Sequence, residues 1–213
     1  MKTPDHPVTP GEALQRLKDG NARFVRGEPA QRPPTPGQLA LLTQTQHPFA
    51  TILGCSDSRV PPEMVFDQGL GDLFIVRVAG NVVGAEILGS LGYALLHLRT
   101  PLFVVLGHEG CGAVQAALKT KFGDLHEPGK IAELLEDILP GLDGINPDEP
   151  AQTQWLHAVE ANVRWAVRQL AATPAGRVVA SGGQIQIVGA IYELATGCVR
   201  FLPGEGATRR DPG

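Results

Sequence analysis

The sequence predicts an α/β fold: a mostly parallel central β-sheet with an antiparallel edge strand, flanked by helices, plus an N-terminal helical arm. Three observations carry this. Short β-rich runs alternate with helical runs through the middle of the chain, which is the pattern of a parallel sheet. Near the end, Ala195-Thr196-Gly197 reads as a hairpin turn, which makes the last strand antiparallel to the one before it. At the start, Thr9-Pro10-Gly11-Glu12 combines a Thr cap, Pro at the first helical position and Glu three residues after the cap.

From that cap a helix runs to near Gly27, with Leu14, Leu17, Asn21 and Phe24 on one face and Asn21 as its polar interruption. Glu28 to Gly37 holds four prolines in ten residues and reads as an extended linker. An arm on such a linker has few local packing partners, so it is expected to lie across another subunit. Strands follow at Phe49–Gly54 and Asp72–Val78, then a helix over Ala85–Leu98 with Ile87, Leu88, Leu91, Leu95 and Leu98 at helical spacing. The third strand is Leu102–Leu106. Helices come next at Ala113–Lys119, Ile131–Leu139 and Gln152–Leu170, then strands at Ile185–Ile191 and Cys198–Leu202. The chain thus divides into arm and linker (1–37), an α/β domain (38–203) and a polar tail (204–213) expected to fray.

With 213 residues, 43% apolar and 19% charged, the chain has enough material for one proper core. A net charge of -4 gives no global attraction to nucleic acid or to anionic membranes, and neither is expected as a partner. No apolar run approaches a bilayer span, and the first twenty residues lack a secretory apolar core, so a cytoplasmic location is expected. Three cysteines in such a compartment are buried, catalytic or metal-bound rather than a disulfide framework. Cys198, inside a strand, reads as structural.

The other two cysteines sit where chemistry is placed in open α/β sheets, just past strand carboxyl ends. Cys55 follows FATILG, and His108 and Cys111 follow LFVVLG. Thiolate and imidazole suit zinc, and three protein ligands with one open corner is the formula of a catalytic zinc site. Gly107, Gly110 and Gly112 permit the tight bend that brings His108 and Cys111 together. On spacing alone, buried cysteines and a histidine unrelated in space remain an equal reading. Asp57 lies two residues after Cys55 and Arg59 two further on, so an extended stretch puts both on one face, where they can pair. The carboxylate then accepts a hydrogen bond from a metal-bound oxygen, or closes onto the metal as a fourth ligand. A plain surface ion pair is the alternative.

Cys55-Ser56-Asp57-Ser58-Arg59 followed by Gly107-His108-Glu109-Gly110-Cys111-Gly112 resembles the paired signature of β-class carbonic anhydrases. Val60-Pro61-Pro62-Glu63, Phe66-Asp67-Gln68-Gly69, Arg77-Val78-Ala79-Gly80-Asn81 and Val188-Gly189-Ala190-Ile191-Tyr192 extend the likeness to the bacterial branch, over roughly Gly11 to Leu202. The resemblance implies one Zn2+ per subunit on Cys55, His108 and Cys111, with Asp57 and Arg59 as the catalytic carboxylate–guanidinium dyad. It implies substrate contacts from Gln46, nine residues before Cys55, from Phe74 as an aromatic wall, and from Tyr93, fifteen before His108, lent across a dimer interface. A register shift within Gln44-Thr45-Gln46 and plain core packing of Phe74 and Tyr93 are the alternatives. Members of the enterobacterial type carry Trp three residues before the first ligand cysteine; here Ile52 stands there, so strong bicarbonate inhibition by that route is not expected. His126 and His97 read as a loop histidine and a packing or capping histidine.

The activity implied is reversible hydration of carbon dioxide to bicarbonate and a proton, by a zinc-bound hydroxide whose parent water is acidified from pKa 15.7 toward neutrality. Two thiolate ligands make that water less acidic than three imidazoles would, so activity should rise with pH through the mildly alkaline range. Hydrolysis of carbonyl sulfide or carbon disulfide on the same scaffold is the nearest alternative, and a non-catalytic metal protein closed by Asp57 is a second. A thiol redox protein is disfavoured because there is no C-x-x-C. The resemblance also implies a homodimer or a homotetramer.

Overall fold

A computed structural model describes residues 8–123, 125–174, 176–177 and 184–204. The polar tail expected from 204 onward lies outside the described residues from 205 on. Five strands form one sheet in the order β2-β1-β3-β4-β5: β1 Ala50–Gly54, β2 Leu73–Arg77, β3 Leu102–His108, β4 Gln186–Tyr192 and β5 Val199–Phe201. The first four are parallel, and β5 runs antiparallel to β4, as the sequence predicts. The helices are α1 Pro10–Arg26, α2 Pro36–Leu42, α3 Pro62–Val65, α4 Ala85–Tyr93, α5 Gly112–Lys121, α6 Gly129–Ile138 and α7 Ala151–Ala172. No helix among the described residues is long and apolar enough to cross a membrane.

β1 and β3 are buried along their whole length because both faces of the sheet are covered. One face carries Leu53, Phe103, Val105 and Ile191 against Leu91 of α4, Val114 and Ala117 of α5, Leu135 and Ile138 of α6, and Val159 and Val163 of α7. The other carries Ala50, Ile52, Leu102, Val104 and Leu106 against Ala13 and Leu17 of α1, and Val65 and Phe66. Each fully buried Leu or Ile here contributes about 2–3 kcal/mol by leaving water. The strand order places β2 on one side of β1 and β3 on the other. The chain therefore reverses its winding between β1 and β3, and that switch opens a crevice at their carboxyl ends.

Three expectations need correction. The N-terminal helix has ample partners within its own chain. Ala13 and Leu17 are fully buried. Asn21 donates to the Val65 carbonyl at 3.0 Å and the Gly197 carbonyl at 2.8 Å, and accepts from the Val199 N–H at 2.8 Å. The polar interruption on the apolar face is thus a clamp joining α1 to α3 and to the β4–β5 hairpin. The linker, read as extended to Gly37, ends earlier: Thr35-Pro36-Gly37-Gln38 repeats the capping pattern of Thr9-Pro10-Gly11-Glu12, and both form complete capping boxes. The helix expected over Ala85–Leu98 is α-helical only to Tyr93. Ala94–Leu98 is a π-helical turn, closed by Arg99 at φ 53 and anchored by fully buried Thr100, whose hydroxyl meets that of Thr51 at 2.7 Å.

Candidate metal centre

Cys55 is the first residue after β1, His108 the last of β3, and Cys111 the N-cap of α5, so all three stand at the crevice between β1 and β3. Their ligand atoms lie within 4.8 Å of one another, and all three side chains are buried. Glu109-Gly110 makes the bend between His108 and Cys111, with Gly110 at φ 67, a conformation that costs glycine little.

Three local features fit this set to zinc. The sulfurs of Cys55 and Cys111 are 4.0 Å apart, close to the roughly 3.8 Å that two thiolates adopt on one tetrahedral zinc with bonds near 2.3 Å. Nδ1 of His108 lies 2.8 Å from the Glu109 carbonyl oxygen, which can only accept, so Nδ1 carries the proton and Nε2 a lone pair. That Nε2 is fully buried and has no hydrogen-bond partner among the described residues. Finally, the contact between the two thiols and the one to His108 hold the Cys55 thiol well below the usual range, although burial pushes it up. Cys111 is pushed up by the Cys55 sulfur and by burial. A divalent cation bound by both sulfurs as thiolates would displace their protons.

Asp57 is 3.9 Å from His108 Nε2 through Oδ2 and faces Arg59 rather than joining the ligand cluster. Arg59 grips it with Nε on Oδ1 at 2.9 Å and a terminal guanidinium nitrogen on Oδ2 at 2.8 Å. The pairing expected from an extended stretch arises differently. Residues 57–60 form a turn closed by the Val60 N–H on the Asp57 carbonyl at 3.1 Å, and Asp57 Oδ1 also accepts from the Arg59 N–H at 3.0 Å. The guanidinium holds the Asp57 carboxyl well below the ordinary carboxylate range. It also reaches the Gly110 carbonyl at 3.3 Å, tying the β1 turn to the β3 turn.

The other three candidates sit elsewhere in the same chain. Gln46 is exposed and precedes β1, at the end of that strand opposite Cys55. Phe74 pairs with Thr51 near the same end, about 13 Å of strand from Cys55. Tyr93 closes α4, stacks on Phe74 with ring centroids 6.3 Å apart, and is 48% exposed. One chain therefore unites Cys55, His108, Cys111, Asp57 and Arg59, and gathers Phe74, Tyr93 and Gln46 toward the other end of the sheet. Ile52 is buried in the core on the face that packs α1. Cys198 is half-buried and stands in the hairpin, apart from the cluster.

Several supporting residues had no role in the sequence reading. Arg77 donates to the carbonyls of Cys55 at 2.9 Å and Asp57 at 2.6 Å. The Gly80 N–H donates to the Cys55 sulfur at 3.4 Å, and Asn162 donates to the Gly80 carbonyl at 2.8 Å. The Trp155 indole N–H donates to the Cys111 carbonyl at 3.2 Å. Arg77 and Gly80 lie in a quoted motif and could have been flagged there. Trp155 and Asn162 lie on a helix remote in sequence, with no local signal.

Comparison with known proteins agrees with this geometry. The carbonic anhydrase family profile matches residues 50–199. A carbonic anhydrase of Mycolicibacterium smegmatis is 41% identical over 192 residues, covering 90% of this chain and 93% of the relative. Carbonic anhydrase 2 of Mycobacterium tuberculosis is 38% identical over 195 residues, covering 89% and 91%. Among solved structures, the β-carbonic anhydrase CcaA superposes with a TM-score of 0.72 at 26% identity, over 91% of this chain and 92% of that one. The β-carbonic anhydrase of Coccomyxa in complex with acetazolamide gives 0.70 at 28% identity, over 76% and 75%. The chain belongs to the bacterial β-class carbonic anhydrases, a family of zinc lyases.

Proposed function

We propose that this chain catalyses the reversible hydration of carbon dioxide to bicarbonate and a proton, with zinc held by Cys55, His108 and Cys111. The observation that carries the proposal is a buried, unpartnered imidazole nitrogen facing two sulfurs 4.0 Å apart, with an ionised carboxylate beside it. Zinc in this site supplies a nucleophile at neutral pH by acidifying a coordinated water. The chain supplies the rest. The thiolates of Cys55 and Cys111 and the His108 Nε2 lone pair would hold the ion and would leave one position for oxygen. Asp57, kept ionised and oriented by Arg59, would accept a hydrogen bond from an oxygen in that position and so aim the oxygen's lone pair at the substrate carbon. Arg77 holds the backbone of Cys55 and Asp57 so that ligand and acceptor keep their relative position.

The working unit in this proposal is a homodimer or a larger assembly built from it. Tyr93 is exposed beside Leu88 and Leu96, an apolar surface on α4 and the π-helical turn that a second copy would cover. Phe74, Tyr93 and Gln46 then serve a neighbouring subunit's cleft, with the rings forming an apolar wall and Gln46 donating to a substrate oxygen. Metal analysis of the purified protein, paired with stopped-flow hydration of carbon dioxide, tests the reading. About one zinc per chain and hydration abolished by Cys55→Ser or His108→Ala are expected. Turnover of carbonyl sulfide or carbon disulfide far above that of carbon dioxide would reassign the substrate, and a zinc-loaded chain inactive on all three would end the enzymatic reading.

A further inference from the structure

α7 faces the metal centre with two polar side chains seven residues apart, Trp155 and Asn162, separated by two helical turns on one face. Each donates to a backbone carbonyl in a segment that carries the site. Trp155 holds the carbonyl of Cys111 itself. Asn162 holds the carbonyl of Gly80, and the N–H of that same Gly80 donates to the Cys55 sulfur.

The Asn81 N–H closes the Gly80 turn locally on the Val78 carbonyl at 3.0 Å, and Asn162 braces it from outside. Gly80 (φ 67) and Asn81 (φ 46) are consecutive left-handed residues, a conformation that Gly and Asn tolerate and that a buried bond to the Gly80 carbonyl helps to hold. Asn162 is 2% exposed, on a helix otherwise buried by Val159, Val163 and Ala166, so its amide enters the core for a partner. A buried amide costs free energy unless bonded, and Asn162 spends its bond on the carbonyl 82 positions away that fixes the turn.

We infer that Asn162 is a positioning residue for the metal centre, acting through Gly80: it sets the turn that keeps a peptide N–H on the Cys55 thiolate. Trp155 does the corresponding work for Cys111, so one rigid helix registers both sulfurs. An N–H···S bond draws charge from the thiolate and lessens its donation to the metal, which offsets part of the charge that two sulfur ligands bring. This rests on the proposed zinc site, and the test separates the two.

The protein is loaded with 113Cd in place of zinc and examined by NMR. Scalar coupling of the metal to the Cys55 and Cys111 β-protons reports ligation, and coupling to the Gly80 amide proton reports the hydrogen bond. Both are expected. Cysteine coupling without Gly80 coupling would overturn the inference and leave the metal site standing; no cysteine coupling would overturn both. This arm needs no substitution, so it survives a variant that fails to fold. In Asn162→Leu, the Gly80 coupling should vanish, and the thiolate-to-metal charge-transfer band of the Co2+ form should move to longer wavelength. Zinc loss to a chelator should be roughly tenfold faster. A variant that merely melts earlier, with the Gly80 coupling and the band unchanged, would show that Asn162 serves stability alone.

Discussion

Replacing Gly80 by alanine should cost this protein about 2–4 kcal/mol of folding stability and loosen its metal. The figure has two parts. At φ 67 an L-residue suffers a clash of its Cβ with the backbone worth about 1–2 kcal/mol. The added Cβ would also lie 2.7 Å from Ile138 Cδ1 and 3.2 Å from Ala113 Cβ. The first neighbour is the tip of a flexible chain and can swing aside. The second is fixed to α5 and must move with its backbone. Overpacking of this kind costs about 1–3 kcal/mol, toward the low end because the nearest atom is a side-chain tip rather than backbone. Urea unfolding followed by fluorescence of Trp155 and Trp165, both on α7, measures the loss. For a chain of this size the midpoint of thermal unfolding should fall by roughly 5–15 °C at fixed protomer concentration. Zinc retention should fall with it, because the strained turn carries the N–H that meets Cys55. A Gly80→Ala protein within 0.5 kcal/mol of the parent would refute the reasoning, since neither the conformation nor the space would then be limiting.

Other consequences follow from charges and ligands. Asp67 is 3% exposed and accepts from Arg23 and from the N–H groups of Ala30 and Gln31, both at 3.0 Å. Burial pushes its carboxyl up, but the Ala30 N–H, Arg23 and the Gln31 N–H together hold it below the ordinary value. Its stabilisation is therefore complete above about pH 4, the unfolded carboxyl value, and is lost as pH falls through the lower folded value. Asp67→Asn should cost about 3 kcal/mol at pH 7 and show a shallower loss of stability below pH 4; equal slopes in acid denaturation would contradict this. Arg59→Ala removes the guanidinium that depresses Asp57, so the carboxyl pKa should rise and the acid limb of the rate profile move to higher pH. The turnover number should drop roughly tenfold to a hundredfold with zinc content unchanged, as metal analysis beside stopped-flow hydration will show. With the native dyad, hydration should rise with pH through the mildly alkaline range, because two anionic sulfur ligands weaken the metal's pull on its water; a profile peaking below pH 6 would sink that account.

What could be read from the chain in one dimension was whatever a short window encodes. Period-two and period-3.6 patterns located the strands and most helices, because burial on one or both faces imposes those repeats. Thr9-Pro10-Gly11-Glu12 announced α1, and the same pattern at Thr35 would have announced α2. Cys55, His108 and Cys111 were legible because strand ends mark the rim where sites form and because glycines flank the ligands. Asp57 and Arg59 were legible as partners, but the turn that joins them was not. Tertiary structure alone decided that Asn21 clamps α1 to its own sheet, that the end of the Ala85 helix widens into a π-turn, and that Gln46, Phe74 and Tyr93 gather away from the Cys55–His108–Cys111 cluster of the same chain. It alone set Asn162 on Gly80 and Trp155 on Cys111. Such contacts join segments some 40 to 80 residues apart. Their partners are backbone groups that every residue possesses, so no side-chain pattern in either segment betrays them.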